Sequence, residues 1–325
     1  MKIKRIVALF VTFACLIGCF GCAGAEAPAE TETQATMGPT VSKAAMEKLD
    51  GKKILVVGNS YSYYGYAVLR DKGLQQAERV NDQGYFYQLC KSQGAEVAVT
   101  NWTFGDHSLW ESLGNSCTRE ACYGEDHLSY LTDRYFDYVV LQLYERNYNG
   151  DLIEYLNPMM EVFREVNPDV QFILAIPHMA YNHDYAWIPR LKEIDRSKIT
   201  LCNWGKMLTD ILDGTVQVPN AANQYIKASF VVSISEKDGH HQNLLAGYLT
   251  ALMIYCAITG DSAVGLPYDF CNDSTINPLF SFDAFKKQYY TYEQFTNFAE
   301  IFASAADMDG LQQLVDQYIA APFGN

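Results

Sequence analysis

Residues 53–62 read Lys53-Ile54-Leu55-Val56-Val57-Gly58-Asn59-Ser60-Tyr61-Ser62. An unbroken aliphatic run bounded by lysine and glycine is the pattern of a short strand buried on both faces. Gly58 then allows a tight turn into whatever follows. Four further β-rich runs share this texture: Glu96–Thr100, Tyr138–Leu141, Val170–Ile176 and Ser229–Ile234. The intervals between runs, roughly 30–60 residues, leave room for the crossover helices that parallel pairing needs. The expected fold is therefore α/β, with a five-stranded, mostly parallel, doubly wound sheet. Helices fit between the strands. Gly84–Gln93 carries Tyr85, Phe86 and Leu89, and Leu152–Val166 carries Ile153, Leu156, Met160 and Phe163 at helical spacing. Leu244–Thr259 is apolar nearly all round, which predicts a helix buried against the sheet, and Gly260 is its natural stop. The main domain is expected over 51–266. Residues 267–325 read as a helical C-terminal extension packed on it, with helices over Tyr292–Ala305 and Leu311–Ile319.

The chain has 325 residues, 49% hydrophobic and 19% charged, which excludes a wholly disordered, collagen-like or coiled-coil protein. A net charge of −14 with no basic run argues against nucleic-acid binding and against electrostatic attraction to anionic lipid or polysaccharide. The 23 tyrosines and 17 phenylalanines suit a carbohydrate or acyl surface.

Lys2, Lys4 and Arg5 precede an apolar run from Ile6 to Ile17, the layout of a signal peptide over residues 1–18. Leu16-Ile17-Gly18-Cys19 resembles a bacterial lipobox, whose cysteine sulfur takes a diacylglycerol before cleavage. Cys22 is the alternative acceptor, and an ordinary secretory signal is the alternative reading of the segment. Residues 19–50, rich at first in Ala, Glu, Thr, Pro and Gly, read as a flexible tether. The expected location is the bacterial cell surface or the periplasmic face, with membrane contact only through the N-terminal lipid.

Beyond residue 22 lie Cys90, Cys117, Cys122, Cys202, Cys256 and Cys271. Cys117 and Cys122 form the candidate local disulfide, whereas Cys90 and Cys256, in apolar helical contexts, read as buried thiols. Those six contain no C-x-x-C, and the chain has no H-E-x-x-H, so nothing points to a metal site.

Two stretches could carry chemistry. Ligand sites of open α/β sheets lie beyond the carboxyl ends of the strands, where Ser60 stands. Ser60 can be a nucleophile on a strand-to-helix turn, or simply a helix cap. Lys237-Asp238-Gly239-His240-His241 follows the last expected strand. Asp238, three residues before His241, can orient the imidazole, which can take the proton of a serine hydroxyl.

These motifs, with the strand ending Val139-Val140-Leu141-Gln142 and with Gly247-Tyr248-Leu249 after the histidines, resemble the SGNH (GDSL-like) hydrolase superfamily over about residues 52–265. The resemblance implies a three-layer α/β/α sandwich of flavodoxin-like type and hydrolysis of an ester or acyl group without a metal or organic cofactor. It implies Ser60 as nucleophile, with Asp238 and His241 as acid and base. It implies an oxyanion hole from the backbone N–H groups of Ser60 and Gly105. The family usually places an asparagine after the third strand as a further donor; here Gln142 carries the same amide on a longer stem. Tyr61, Glu145 and His178 are substrate-side candidates, as are Tyr63, Tyr64 and Arg146; the tyrosines suit stacking on a sugar ring or packing under a loop equally well.

The reading is a serine esterase that removes an O-acyl group, O-acetyl by preference, from a small molecule or a glycan. A non-catalytic glycan-binding lipoprotein of the same fold and an O-acyltransferase are the alternatives. Replacement of the lipid acceptor tests the anchoring: Cys19→Ala should move the protein from the membrane to the soluble fraction of cells, and retention at the membrane would transfer the acylation to Cys22.

Overall fold

The computed structural model describes residues 41–63, 84–103, 108–113, 134–144, 152–178, 186–194, 196–197, 199–217, 244–272 and 305–324. Five strands form one sheet: β1 Lys53–Gly58, β2 Ala98–Thr103, β3 Tyr138–Gln142, β4 Gln171–Ala175 and β5 Ile199–Cys202. Their order is β2-β1-β3-β4-β5, and every neighbouring pair is parallel. The described helices are α1 Lys43–Leu49, α2 Ser60–Tyr63, α3 Tyr85–Ser92, α4 Leu109–Leu113, α5 Leu152–Val166, α6 Trp204–Asp213, α7 Leu244–Thr259 and α8 Ala305–Ala320.

The period-2 geometry of the strands sorts their side chains into two cores. Ile54, Val56, Val99, Val140, Ile173, Ala175 and Cys202 face one way and meet α1, α3, α6, α7 and α8. Leu55, Val57, Trp102, Val139, Leu141, Phe172, Leu174 and Leu201 face the other way and meet α4, α5 and the turn around Leu191. This is the three-layer α/β/α sandwich, and its strand order is the flavodoxin-like one. The order reverses at β1, between β2 and β3, so the crevice of the fold opens at the carboxyl ends of β1 and β3.

Helix α7 is apolar all round because it has neighbours all round. It touches β4 and β5 on one side and α1, α3, α6 and α8 elsewhere, and Ala246, Tyr248, Leu249 and Ala251 through Tyr255 are at most 1% exposed. Gly260, at φ 77°, ends it. The C-terminal helix α8 is fastened to α7 and to the loop after it by polar groups. Gln312 Nε2 donates to the Tyr248 hydroxyl at 3.1 Å and to the Leu266 carbonyl at 2.8 Å, and Asp316 accepts from Ser262 Oγ at 2.5 Å and from the Ala263 N–H at 2.7 Å. Asp210 of α6, almost wholly buried, is paired with Lys206 and with the hydroxyl of Tyr318. Past α8, Asn203 Nδ2 holds the Pro322 carbonyl at 2.6 Å and Phe323 joins the opposite core, so the tail passes β5 from one face of the sheet to the other.

Several elements differ from the sequence expectation. The folded chain begins earlier than residue 51: Ser42 caps α1 by accepting from the Ala45 N–H at 3.1 Å and donates to Asp261 Oδ2 at 2.5 Å. Ala45 and Leu49 bury this short helix where a tether is expected to residue 50. The second strand is displaced to Ala98–Thr103, because pairing with β1 continues to Gly58 and Trp102 is buried with its Nε1 on the Ser112 carbonyl at 2.9 Å. The fifth described strand is Ile199–Cys202, a four-residue element with one exposed position, too short to stand out by hydropathy. The expected strand Ser229–Ile234 lies outside the described residues, as do Cys117, Cys122 and all but the last residue of Tyr292–Ala305. Helix α8 starts six residues before Leu311 and runs through Gly310. Cys90 and Cys256 are buried free thiols as expected, as is Cys202, and burial pushes all three thiols far above the ordinary cysteine range.

A tight backbone joint lies where α6 meets the end of β4. The Gly205 N–H donates to the Ile176 carbonyl at 2.8 Å, and a Cβ on Gly205 would stand 2.3 Å from the Pro177 carbonyl carbon and 2.6 Å from the His178 nitrogen. Backbone cannot swing aside as a side chain can, so Gly205→Ala should cost about 2–4 kcal/mol. Urea denaturation measures this, and a midpoint equal to that of the wild type would show that the joint can open.

Candidate active site

The carboxyl ends of β1, β3, β4 and β5 each present polar or aromatic residues at one edge of the sheet: Asn59 to Ser62, Gln142 to Tyr144, His178, and Asn203 with Trp204. The turn leaving β1 is built first by a cap. Asn59 Oδ1 accepts from the Tyr61 N–H at 3.0 Å, and the Asn59 carbonyl accepts from the Ser62 N–H at 2.9 Å, which closes α2 within one turn. Ser60 is the first residue of that turn, 8% exposed, directly beyond the strand.

Gln142, the last residue of β3, reaches across to this turn. Its Nε2 donates to Asn59 Oδ1 at 2.6 Å, and its Oε1 accepts from Ser62 Oγ and, at 3.4 Å, from the Asn59 N–H. All three side chains are buried. The Ser62–Gln142 contact passes directly over Gly58: a Cβ there would lie 1.9 Å from Ser62 Oγ and 2.8 Å from Gln142 Oε1. What this position requires of a glycine is empty space.

Beneath the turn lies an aromatic cluster. Tyr61 stands 5.7 Å from Tyr144 and 5.5 Å, edge-on, from the His178 ring, and His178 stands 5.6 Å from Trp204. Tyr61 and His178, candidates for substrate contact, are 3% and 4% exposed and belong to this packing. The residues that sequence reading gave no part to are Asn59, Ser62, Tyr144 and Trp204. The first two sit inside the quoted motif, but a bond to a residue some 80 positions away leaves no local signal.

The structure thus brings together Ser60, Gln142, Tyr61 and His178. Gly105, Asp238, His241 and Glu145, with His240, Tyr64 and Arg146, lie outside the described residues, and Tyr63 is described through its backbone alone. Among the described residues, no three His, Cys, Asp or Glu side chains are grouped so as to hold a metal, and no helix is long and apolar enough to cross a membrane.

No family model and no curated protein matches the chain. Among solved structures it is similar to a DUF4886 family protein from Bacteroides uniformis, at 15% identity and a TM-score of 0.45, covering 84% of this chain and 96% of that one. A GDSL-like lipase candidate from Parabacteroides merdae gives 13%, 0.41, 68% and 99%. A variant of an acetyl xylan esterase from Geobacillus stearothermophilus gives 16%, 0.38, 69% and 99%. At these values no residue role passes from those proteins to this chain.

The crowding over Gly58 can be tested directly. Gly58→Ala should displace Ser62 and Gln142 and lower stability by about 1–3 kcal/mol, the usual range for overpacking joined to a lost buried hydrogen bond. Chemical denaturation reads it, and an unperturbed midpoint would mean that the two side chains find other places at no cost.

Proposed function

We propose that the protein is a serine esterase of SGNH type that hydrolyses an O-acyl ester, O-acetyl in the first instance, on a carbohydrate. The observation that carries this reading is the position of Ser60. It occupies the turn at the switch point of a parallel sheet of order β2-β1-β3-β4-β5, where α/β folds place their ligands. A serine that merely capped a helix would not call for the buried bonds by which Asn59, Ser62 and Gln142 frame it.

In the proposed reaction Ser60 Oγ attacks the ester carbonyl while His241 takes its proton, with Asp238 orienting the imidazole and stabilising its charge. The backbone N–H groups of Ser60 and Gly105 receive the oxyanion. Collapse breaks the bond to the sugar oxygen, which leaves with the proton from His241. Water, deprotonated by His241, then attacks the acyl-enzyme, and the carboxylic acid departs as Ser60 regains its proton. The abundance of aromatic residues and the lipid anchor at Cys19, itself a proposal, support a glycan substrate met at the bacterial surface.

Hydrolysis of an aryl acetate and of acetylated sugars by the purified chain tests this. Ser60→Ala should abolish turnover without lowering stability, and His241→Ala should be far more damaging than His240→Ala. Retained activity in Ser60→Ala would remove the nucleophile, and the reverse ranking of the histidines would move the base by one position.

A further inference from the structure

We infer that Gln142 is a positioning residue that acts through Asn59 and Ser62 to hold the nucleophile turn; the inference rests on the esterase reading for what the turn does. Both ends of the Gln142 amide engage the turn: one Nε2–H donates to Asn59 Oδ1 at 2.6 Å, and Oε1 accepts from Ser62 Oγ and the Asn59 N–H. The side chain is 1% exposed. Asn59 and Ser62 bracket Ser60 on its two sides in the chain, so Gln142 grips the turn both before and after the nucleophile. Both residues that it grips also shape the turn from within. Asn59 Oδ1 caps Tyr61 N–H, and the Ser62 N–H closes on the Asn59 carbonyl. The longer stem of glutamine has a geometric reason here. Gln142 ends β3 while the groups that it holds lie one to four residues past Gly58, the last residue of β1, so the amide must reach forward over that glycine. The two strands are locked in register by Asp137, whose carboxylate accepts from the Lys53 N–H at 2.9 Å, so the clamp joins two fixed supports.

The test uses the full chain with Ser62→Ala, Gln142→Ala and the double variant. Backbone hydrogen exchange over residues 58–63 is measured beside turnover of 4-nitrophenyl acetate. Both single variants should quicken exchange in that segment, on the order of tenfold, and leave β4 unchanged. They should lower kcat on the order of 10- to 100-fold with KM within about twofold, the signature of a misplaced nucleophile. The double variant should be no slower than the slower single, because both remove one clamp. Wild-type kcat and exchange in Ser62→Ala would overturn the inference, as would losses that multiply in the double variant. Faster exchange with unchanged kcat would make the clamp structural only and overturn its part in catalysis. Absence of wild-type turnover of both 4-nitrophenyl acetate and acetylated sugars would end the esterase reading by itself, and exchange would then decide the clamp alone. Should Gln142→Ala fail to fold, Ser62→Ala, which removes a single hydroxyl, carries both measurements.

Discussion

A side-chain amide ties the end of β3 to the turn that leaves β1, and the whole carboxyl edge of the sheet is arranged around that tie. Gln142 can reach Asn59 and Ser62 only because position 58 has no Cβ, since one would stand 1.9 Å from Ser62 Oγ. The turn can bury Tyr61 only because its first residues are fixed by the same bonds. With Tyr61 in place, Tyr144 and His178 each pack against its ring, and Trp204 packs against His178. Each partner is buried, so removal of one leaves another polar group stranded at a cost of about 1–3 kcal/mol. The constraint is therefore collective, as expected of side-chain networks in a low-dielectric surround.

The second support of the site is the burial of α7. A helix without a polar face must be covered on all sides, and the sheet covers only one. Helices α1, α3, α6 and α8 supply the rest, which explains why the chain carries folded segments on both flanks of the α/β core. The fastening is polar where the packing is apolar: Ser42 to Asp261, Lys48 Nζ to the Thr259 carbonyl at 2.6 Å, and Gln312 to Tyr248. Lys48 meets the helix at its carboxyl end, where a cation also complements the aligned peptide dipoles. Tyr255, buried and bonded to Asp261 at 3.0 Å, has its ionisation pushed well above the ordinary tyrosine range by that burial.

What the sequence makes legible follows from the range of the forces involved. Strands β1, β3 and β4 and helices α5 and α7 are visible because each buries a contiguous or strictly periodic set of apolar residues. Helix α1 and strand β5 are not, because their stability comes from partners. Ala45 and Leu49 are the two buried residues of a seven-residue helix, and Ile199–Cys202 becomes a strand beside β4. The same division runs through the site. Ser60 and Gln142 are legible as motif positions on strand ends. The roles of Asn59 and Ser62 are not, because they consist of bonds to a residue some 80 positions away. Tyr61, which the sequence leaves open between stacking on a sugar ring and packing under a loop, packs against Tyr144 and His178, and no local pattern announces those partners.

The division also separates the proposed nucleophile from its proposed base in physical terms. Ser60 hangs from β1 and is steadied from β3, two adjacent strands in the middle of the sheet. Asp238 and His241 stand in the chain immediately before Leu244, the first residue of α7. The proposed nucleophile thus hangs from the central strands, whereas the proposed base precedes α7 in the sequence. Proton transfer between the two depends on distances of a few tenths of an ångström. A helix clamped on every side is a better support for a base than one packed on the sheet alone. The C-terminal helix α8 packs on α7 and bonds to α6 and to the loop after α7, so it steadies the helix that the proposed base precedes in the chain.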